Sequence, residues 1–82
     1  MARASKATAP ARLDRITFDP AVMGGRACIR GLRVTVATLV DQMAEGASIE
    51  DILADYPYLE REDIRQALSY AAGLARDEVV PA

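Results

Sequence analysis

At 82 residues, with one cysteine and no histidine, the chain is sized for one domain and lacks the material for a disulfide framework or a zinc site. Although 51% of its residues are apolar, no run approaches membrane-spanning length, and no apolar core follows the N-terminal charges as a signal peptide requires. The net charge of −2 conceals a gradient, from +3 over residues 1–15 and +2 over 16–35 to −7 from Val36 onward. Such a split suggests two surfaces with different partners, one of them polyanionic, against the plainer reading of a solvated surface with a basic tail.

In chain order, Met1 to Arg12 has no periodicity and reads as a flexible basic arm, which we extend to residue 15. Its Ala-, Ser- and Arg-rich composition faintly resembles a transit segment, but disorder explains it equally well, and a cytosolic location is the simplest expectation. Ile16-Thr17-Phe18 favours a first strand. Asp19-Pro20 and Met23-Gly24-Gly25 read as bends. From Gly24 to Val36 the sequence alternates like a strand, with Arg26, Cys28 and Arg30 expected on one face and Ala27 and Ile29 on the other. Ile16, Phe18, Ile29 and Val34 are expected to form a small apolar face. The glycines lack the spacing of a phosphate loop, so they read as turn residues. Cys28 is either a thiol activated by its arginine neighbours or a small apolar residue, the commoner case.

A first helix is expected after Thr35 as N-cap, burying Val36, Leu39, Val40 and Met43 and ending at Gly46. A second begins at Ser48 with Asp51 completing a near capping box, buries Ile49, Ile52, Leu53 and Tyr56, and stops at Pro57. A third opens with Glu60, Glu62 and Asp63 at its positive dipole end. Its inner face is Ile64, Ala67, Leu68 and Ala71, with Arg61, Arg65, Gln66 and Ser69 pointing elsewhere. Ala67, Ala71 and Ala72 permit close approach of another helix. Gly73 either ends this helix or weakens it, leaving Leu74 to Ala82 as a helical extension or a tail. Tyr56, Tyr58 and Tyr70 read as core-edge or interface residues. The result is a mainly α chain with a short N-terminal β-element, and its three helices fit either a helix-turn-helix domain or a small bundle over residues 16–73. A unit this small gains from association, so we expect a homodimer. With no histidine, no nucleophile–base pair and no acidic cluster in a pocket, we expect no enzyme, and no cofactor or metal.

Gly24-Gly25-Arg26, Ile29-Arg30-Gly31, Arg33-Val34, Val36, Gly46, Ile52-Leu53, Tyr56-Pro57, Leu59, Asp63-Ile64, Ala67-Leu68 and Tyr70-Ala71, taken as an ordered set, resemble the domain-of-unknown-function 433 family, regarded as VapB-type antitoxins. The resemblance implies a homeodomain-like or winged helix-turn-helix fold, usually dimeric. It also implies a PIN-like ribonuclease toxin as partner, with binding of the complex to double-stranded DNA at its own promoter. This chain departs from the family pattern at Ala27, where Pro is common, and at Leu32 and Glu60, where Thr is usual.

If the third helix enters a major groove, Arg61, Arg65, Gln66 and Ser69 are the candidates for base or phosphate contact, although the acids of its first turn oppose that approach. Arg26, Arg30 and Arg33, with the N-terminal arm, would supply most of the phosphate affinity. Arg30 and Arg33 have a competing assignment, structural ion pairs with the acidic helices. For the toxin, the candidates are Leu74, Val79 and Val80 as anchors and Arg76 near the acidic pocket of the nuclease. A free-standing DNA-binding regulator and a pure interaction module are the rival readings.

Overall fold

The computed structural model describes residues 13–78. Strand β1, Ile16–Thr17, pairs antiparallel with β2, Cys28–Ile29, with Ile16 opposite Ile29 and Thr17 opposite Cys28. Cys28 also bridges to Thr35, so β2 is paired on both sides. Leaving β2, the chain reverses at once. Arg30 (φ 47°) and Gly31 (φ 73°) are successive left-handed residues, and the Leu32 N–H donates to the Ile29 carbonyl at 2.7 Å. That is the pattern of the tight hairpin turn in which glycine is favoured. The Gly31 N–H is held by the Thr17 hydroxyl at 2.8 Å. The left-handed Arg30 ends the expected strand alternation. Cys28 and Ile29 are both buried, at 1% and 0% exposure, and Cys28 does not share an outer face with the arginines.

Helix α1, Val36–Ala44, starts where the Thr35 hydroxyl accepts the Thr38 N–H at 3.1 Å. It ends in a Schellman turn, with Gly46 N–H donating to the Met43 carbonyl and Ala47 N–H to that of Gln42, both at 3.0 Å. Gly46 has φ 106° there, a conformation that penalises any side chain. Helix α2, Ile49–Asp55, carries a complete capping box: Asp51 N–H donates to Ser48 Oγ at 3.0 Å, and Ser48 N–H to Asp51 Oδ2 at 2.9 Å. Aspartate thus fills the place usually taken by glutamate. Tyr56 caps α2 rather than extending its stripe, and its hydroxyl accepts from Gln42 Nε2 at 3.0 Å.

Helix α3, Arg61–Glu78, runs straight through Gly73. The residues 74–78 are therefore a continuation of the helix, and 79–82 lie outside the described residues. Ile64 and Ala67 of α3 meet Val36 and Leu39 of α1, Ile52 of α2, Leu59, and Ile16, Ile29 and Val34 of the β-element in one core. Two expectations change. Phe18 is 57% exposed, its ring resting on Tyr70 at 5.8 Å between centroids instead of joining the core. Gln66, expected to point away from the inner face of α3, is buried at 4% exposure, and Asp63, expected only as a first-turn acid, is buried at 0%. The architecture is mainly α: a helix-turn-helix pair with α3 packed across it and a two-stranded sheet at the front. Among the described residues no helix is long and apolar enough to cross a membrane.

Candidate functional site

The two inward-turned polar residues of α3 organise the cationic front of the molecule. Asp63 sits at the third position of α3, where its Oδ2 accepts the Glu60 N–H at 2.7 Å. The tight turn after β2 delivers Arg30 to the same carboxylate in a two-pronged grip, Nε to Oδ1 and Nη2 to Oδ2, each at 2.9 Å. Arg30 Nη2 also donates to the Tyr58 carbonyl at 2.9 Å. From just before β1, Arg15 Nη1 reaches Asp63 Oδ1 at 2.9 Å and Glu60 Oε1 at 2.6 Å. Both Asp63 oxygens thus accept twice, which fills the lone pairs of an ionised carboxylate. Burial pushes the Asp63 carboxyl up, but hydrogen bonds from Arg30, the Glu60 N–H and Arg15 outweigh it and hold the group below its ordinary value. The same bonds raise the arginines, Arg15 chiefly through Glu60 and Arg30 through Asp63.

One turn further, Gln66 closes a second clasp. Its Oε1 accepts the Arg15 backbone N–H at 2.9 Å, and its Nε2 donates to Asp14 Oδ1 at 3.1 Å and Glu62 Oε2 at 3.0 Å. A buried amide with both donor hydrogens spent and its oxygen engaged has no donor left for a base. Gln66 is therefore removed from the candidate DNA contacts and becomes the residue that fixes where residue 13 enters the fold. Arg15, placed at the end of the arm by its sequence, belongs to the folded unit for the same reason.

The remaining α3 candidates stay on the outside. Arg61, Arg65 and Ser69 recur every fourth residue and so share one stripe. The arginines are each 62% exposed, and Ser69 is half-buried. Arg65 grips Glu62 within the helix at 2.8 and 2.6 Å, and Arg61 pairs with Glu50 of α2. The Arg65 bond, aided by Gln66, brings Glu62 down to about 2. Arg26 and Arg33 are exposed and have no carboxylate partner among the described residues; Arg33 touches only the Met23 sulfur, at 4.0 Å. The arginine trio therefore divides, with Arg30 structural and Arg26 and Arg33 turned to solvent. Leu74 is 48% exposed and Arg76 is exposed, both on the last turns of α3. Val79 and Val80 lie outside the described residues. Among the described residues no group of three or more His, Cys, Asp or Glu side chains is arranged to hold a metal ion.

Residues 16–71 match the family model described as "Protein of unknown function (DUF433)". The chain belongs to the DUF433 family. The shape agrees: the crystal structure of a DUF433 member protein from Anabaena variabilis ATCC 29413 superposes with a TM-score of 0.71 at 31% identity, covering 93% of this chain and 87% of that one. The uncharacterized protein y4eO of Sinorhizobium fredii (strain NBRC 101917 / NGR234) is 39% identical over 56 residues, which are 68% of this chain but 25% of that protein. This DUF433 chain thus spans about a quarter of the length of the curated relative it matches. The geometry also shows how α3 starts without a hydroxyl cap at position 60. With Glu60 there, the helix start is closed from the other side, by Asp63 accepting the Glu60 N–H.

Proposed function

We propose that this DUF433 chain is the antitoxin of a type II toxin–antitoxin pair in the cytoplasm. As a homodimer it would bind and neutralise a PIN-like ribonuclease and, with it, bind the promoter DNA of the pair, acting as a binding protein and not as an enzyme. The observation that carries the toxin half is the reach of α3. The helix continues past Gly73 and presents Arg76 to solvent, a cationic end suited to an acidic nuclease pocket. Arg76→Glu should abolish co-purification with the nuclease while leaving the circular dichroism of the chain intact. Full binding by that variant sinks the assignment.

The DNA half rests on Arg33, which has no internal carboxylate to give up among the described residues, and on Arg61 and Arg65, whose exposed pairs are weak enough to exchange for phosphate. Arg30 is assigned a smaller share, because three hydrogen bonds hold it within the fold. An Arg33→Ala/Arg61→Ala variant should therefore weaken DNA binding at every sequence. It should also flatten the salt dependence by roughly one unit of slope for each phosphate left without its arginine. The same solvent-facing arginines also favour the second reading, a free-standing regulator. Operator binding by the purified chain alone supports the regulator; binding only after the nuclease is added supports the antitoxin.

A further inference from the structure

An open groove of about 580 Å³ separates α1 from the second half of α3. One wall is Val36 and Val40; the other is Ala71, Leu74 and Ala75, an i, i+3, i+4 stripe of α3. Arg26 and Asp41 also line it, and neither has a salt-bridge partner among the described residues. Leu74 is 48% exposed, and beside the groove Phe18, resting on Tyr70, is 57% exposed. The monomer thus leaves two large apolar side chains in water along one seam.

We infer that a second copy of this chain covers this groove about a two-fold axis, with Arg26 of each protomer paired to the partner's Asp41. This rests on the homodimer of the function proposed above and names its surface. The positions of the charges argue for a copy over a foreign helix. Arg26 lies at the start of α1, where the neighbouring Ala27 carbonyl accepts the Val36 N–H at 2.9 Å. Asp41 lies five residues after Val36 on that helix, about 7.5 Å along its axis at the usual rise. Opposite charges at the two ends of one wall are self-complementary under a two-fold rotation, because each then faces the other sign. A foreign ligand requires no such match. Ala71 and Ala75 keep the α3 wall low, so a second α3 can approach and seat its Leu74 in the opposite groove. Leu74 and Arg76 lie about 200° apart around the helix, so the dimer takes the first and leaves the second for another partner.

The test is sedimentation equilibrium on the full chain. Leu74→Glu, at an exposed position, should retain the helical circular dichroism and lose the dimer. Arg26→Glu and Asp41→Arg should each raise the dimer Kd by roughly tenfold or more. Mixed in equal amounts, the Arg26→Glu and Asp41→Arg variants should associate as a heterodimer: one of its cross-subunit pairs joins the two substituted side chains, now of opposite charge, and the other is the unaltered Arg26–Asp41 pair, whereas each variant homodimer carries a like-charge clash twice. A wild-type chain that stays monomeric overturns the proposal together with the dimer it rests on. A dimer indifferent to Leu74→Glu and to both charge changes overturns this surface and leaves the dimer standing. Weakened single variants that fail to recover on mixing overturn the pairing.

Discussion

From Arg61 to Ala67, helix α3 is clamped: its buried carboxylate holds two arginines from the β-element, and its buried glutamine holds the backbone of residue 15. From Tyr70 to Arg76 the same helix faces α1 across an apolar groove on one side and solvent on the other. Within one continuous helix, then, the front is fixed by directional bonds and the back by area alone. Directional bonds to a buried charge tolerate little, because losing one partner leaves the others desolvated and unpaired. An apolar seam tolerates much and is readily covered by another surface. The clamp sets how the three helices and the hairpin are oriented, and the open half is where the molecule has room for a partner.

The largest test of this contrast is Asp63→Ala, which strands Arg15 and Arg30 without their shared acceptor. It should cost roughly 1–3 kcal/mol in urea unfolding, since both arginines keep some contact with water, with Asp63→Asn falling between it and wild type. A loss near zero would show that the clamp is ornamental. Acid comes next. Asp63 lies below its ordinary value, and Glu62 falls from 4.5 to about 2. A carboxyl depressed by folding adds stability that is complete above its unfolded value and lost as pH falls through the folded one. The urea midpoint should therefore hold steady through neutral pH, where no histidine titrates, and decline from about 4.5 toward about 2; a decline beginning near neutrality contradicts the assignment.

Smaller effects sharpen the other side. A Cβ built at Gly73 meets only the far end of the Arg76 side chain, at 3.9 Å, and the helix continues past it. Gly73→Ala should accordingly stabilise the chain by about 1 kcal/mol or less. No gain, or a loss, would mean that the last turns are not helical in solution. Arg65→Ala removes an exposed pair and should leave the thermal midpoint within error, even though it weakens DNA binding if the outer stripe of α3 meets phosphate.

What is legible in the sequence is what neighbours in the chain decide. Thr35, Gly46 and Ser48 with Asp51 act within a few residues of themselves, and each caps or ends its helix as expected. The i, i+3, i+4 stripes of α1 and α3 find the core residues Val36, Leu39, Ile64 and Ala67. The clamp is hidden because its parts lie far apart in sequence: Arg15 is separated from Asp63 by 48 positions and Arg30 by 33. Periodicity assigns a polar residue to the outside by default, so Asp63 and Gln66 are placed by type and not by face. A local signal does exist, since an acid three residues after the helix start can close it by accepting the N-cap N–H. The expectation that Arg30 and Arg33 pair with the acidic helices holds for one of the two. Only Arg30 occupies the left-handed turn that leads to Asp63. Phe18 misleads in the opposite sense, its aromatic character suggesting burial in a strand too short to carry it inward.

The sealed position of Cys28 turns the chain into its own stability gauge. It is the only cysteine of the 82 residues, and it sits at 1% exposure in the strand that both β1 and Thr35 hold. A maleimide or aromatic disulfide reagent can reach that sulfur only when β2 comes apart. With reclosing fast relative to modification, the labelling rate divided by that of an unfolded peptide gives the opening equilibrium of the front half directly, with no denaturant and no engineered probe. The same clock, read with and without a candidate toxin or operator, would report how strongly each one locks the fold.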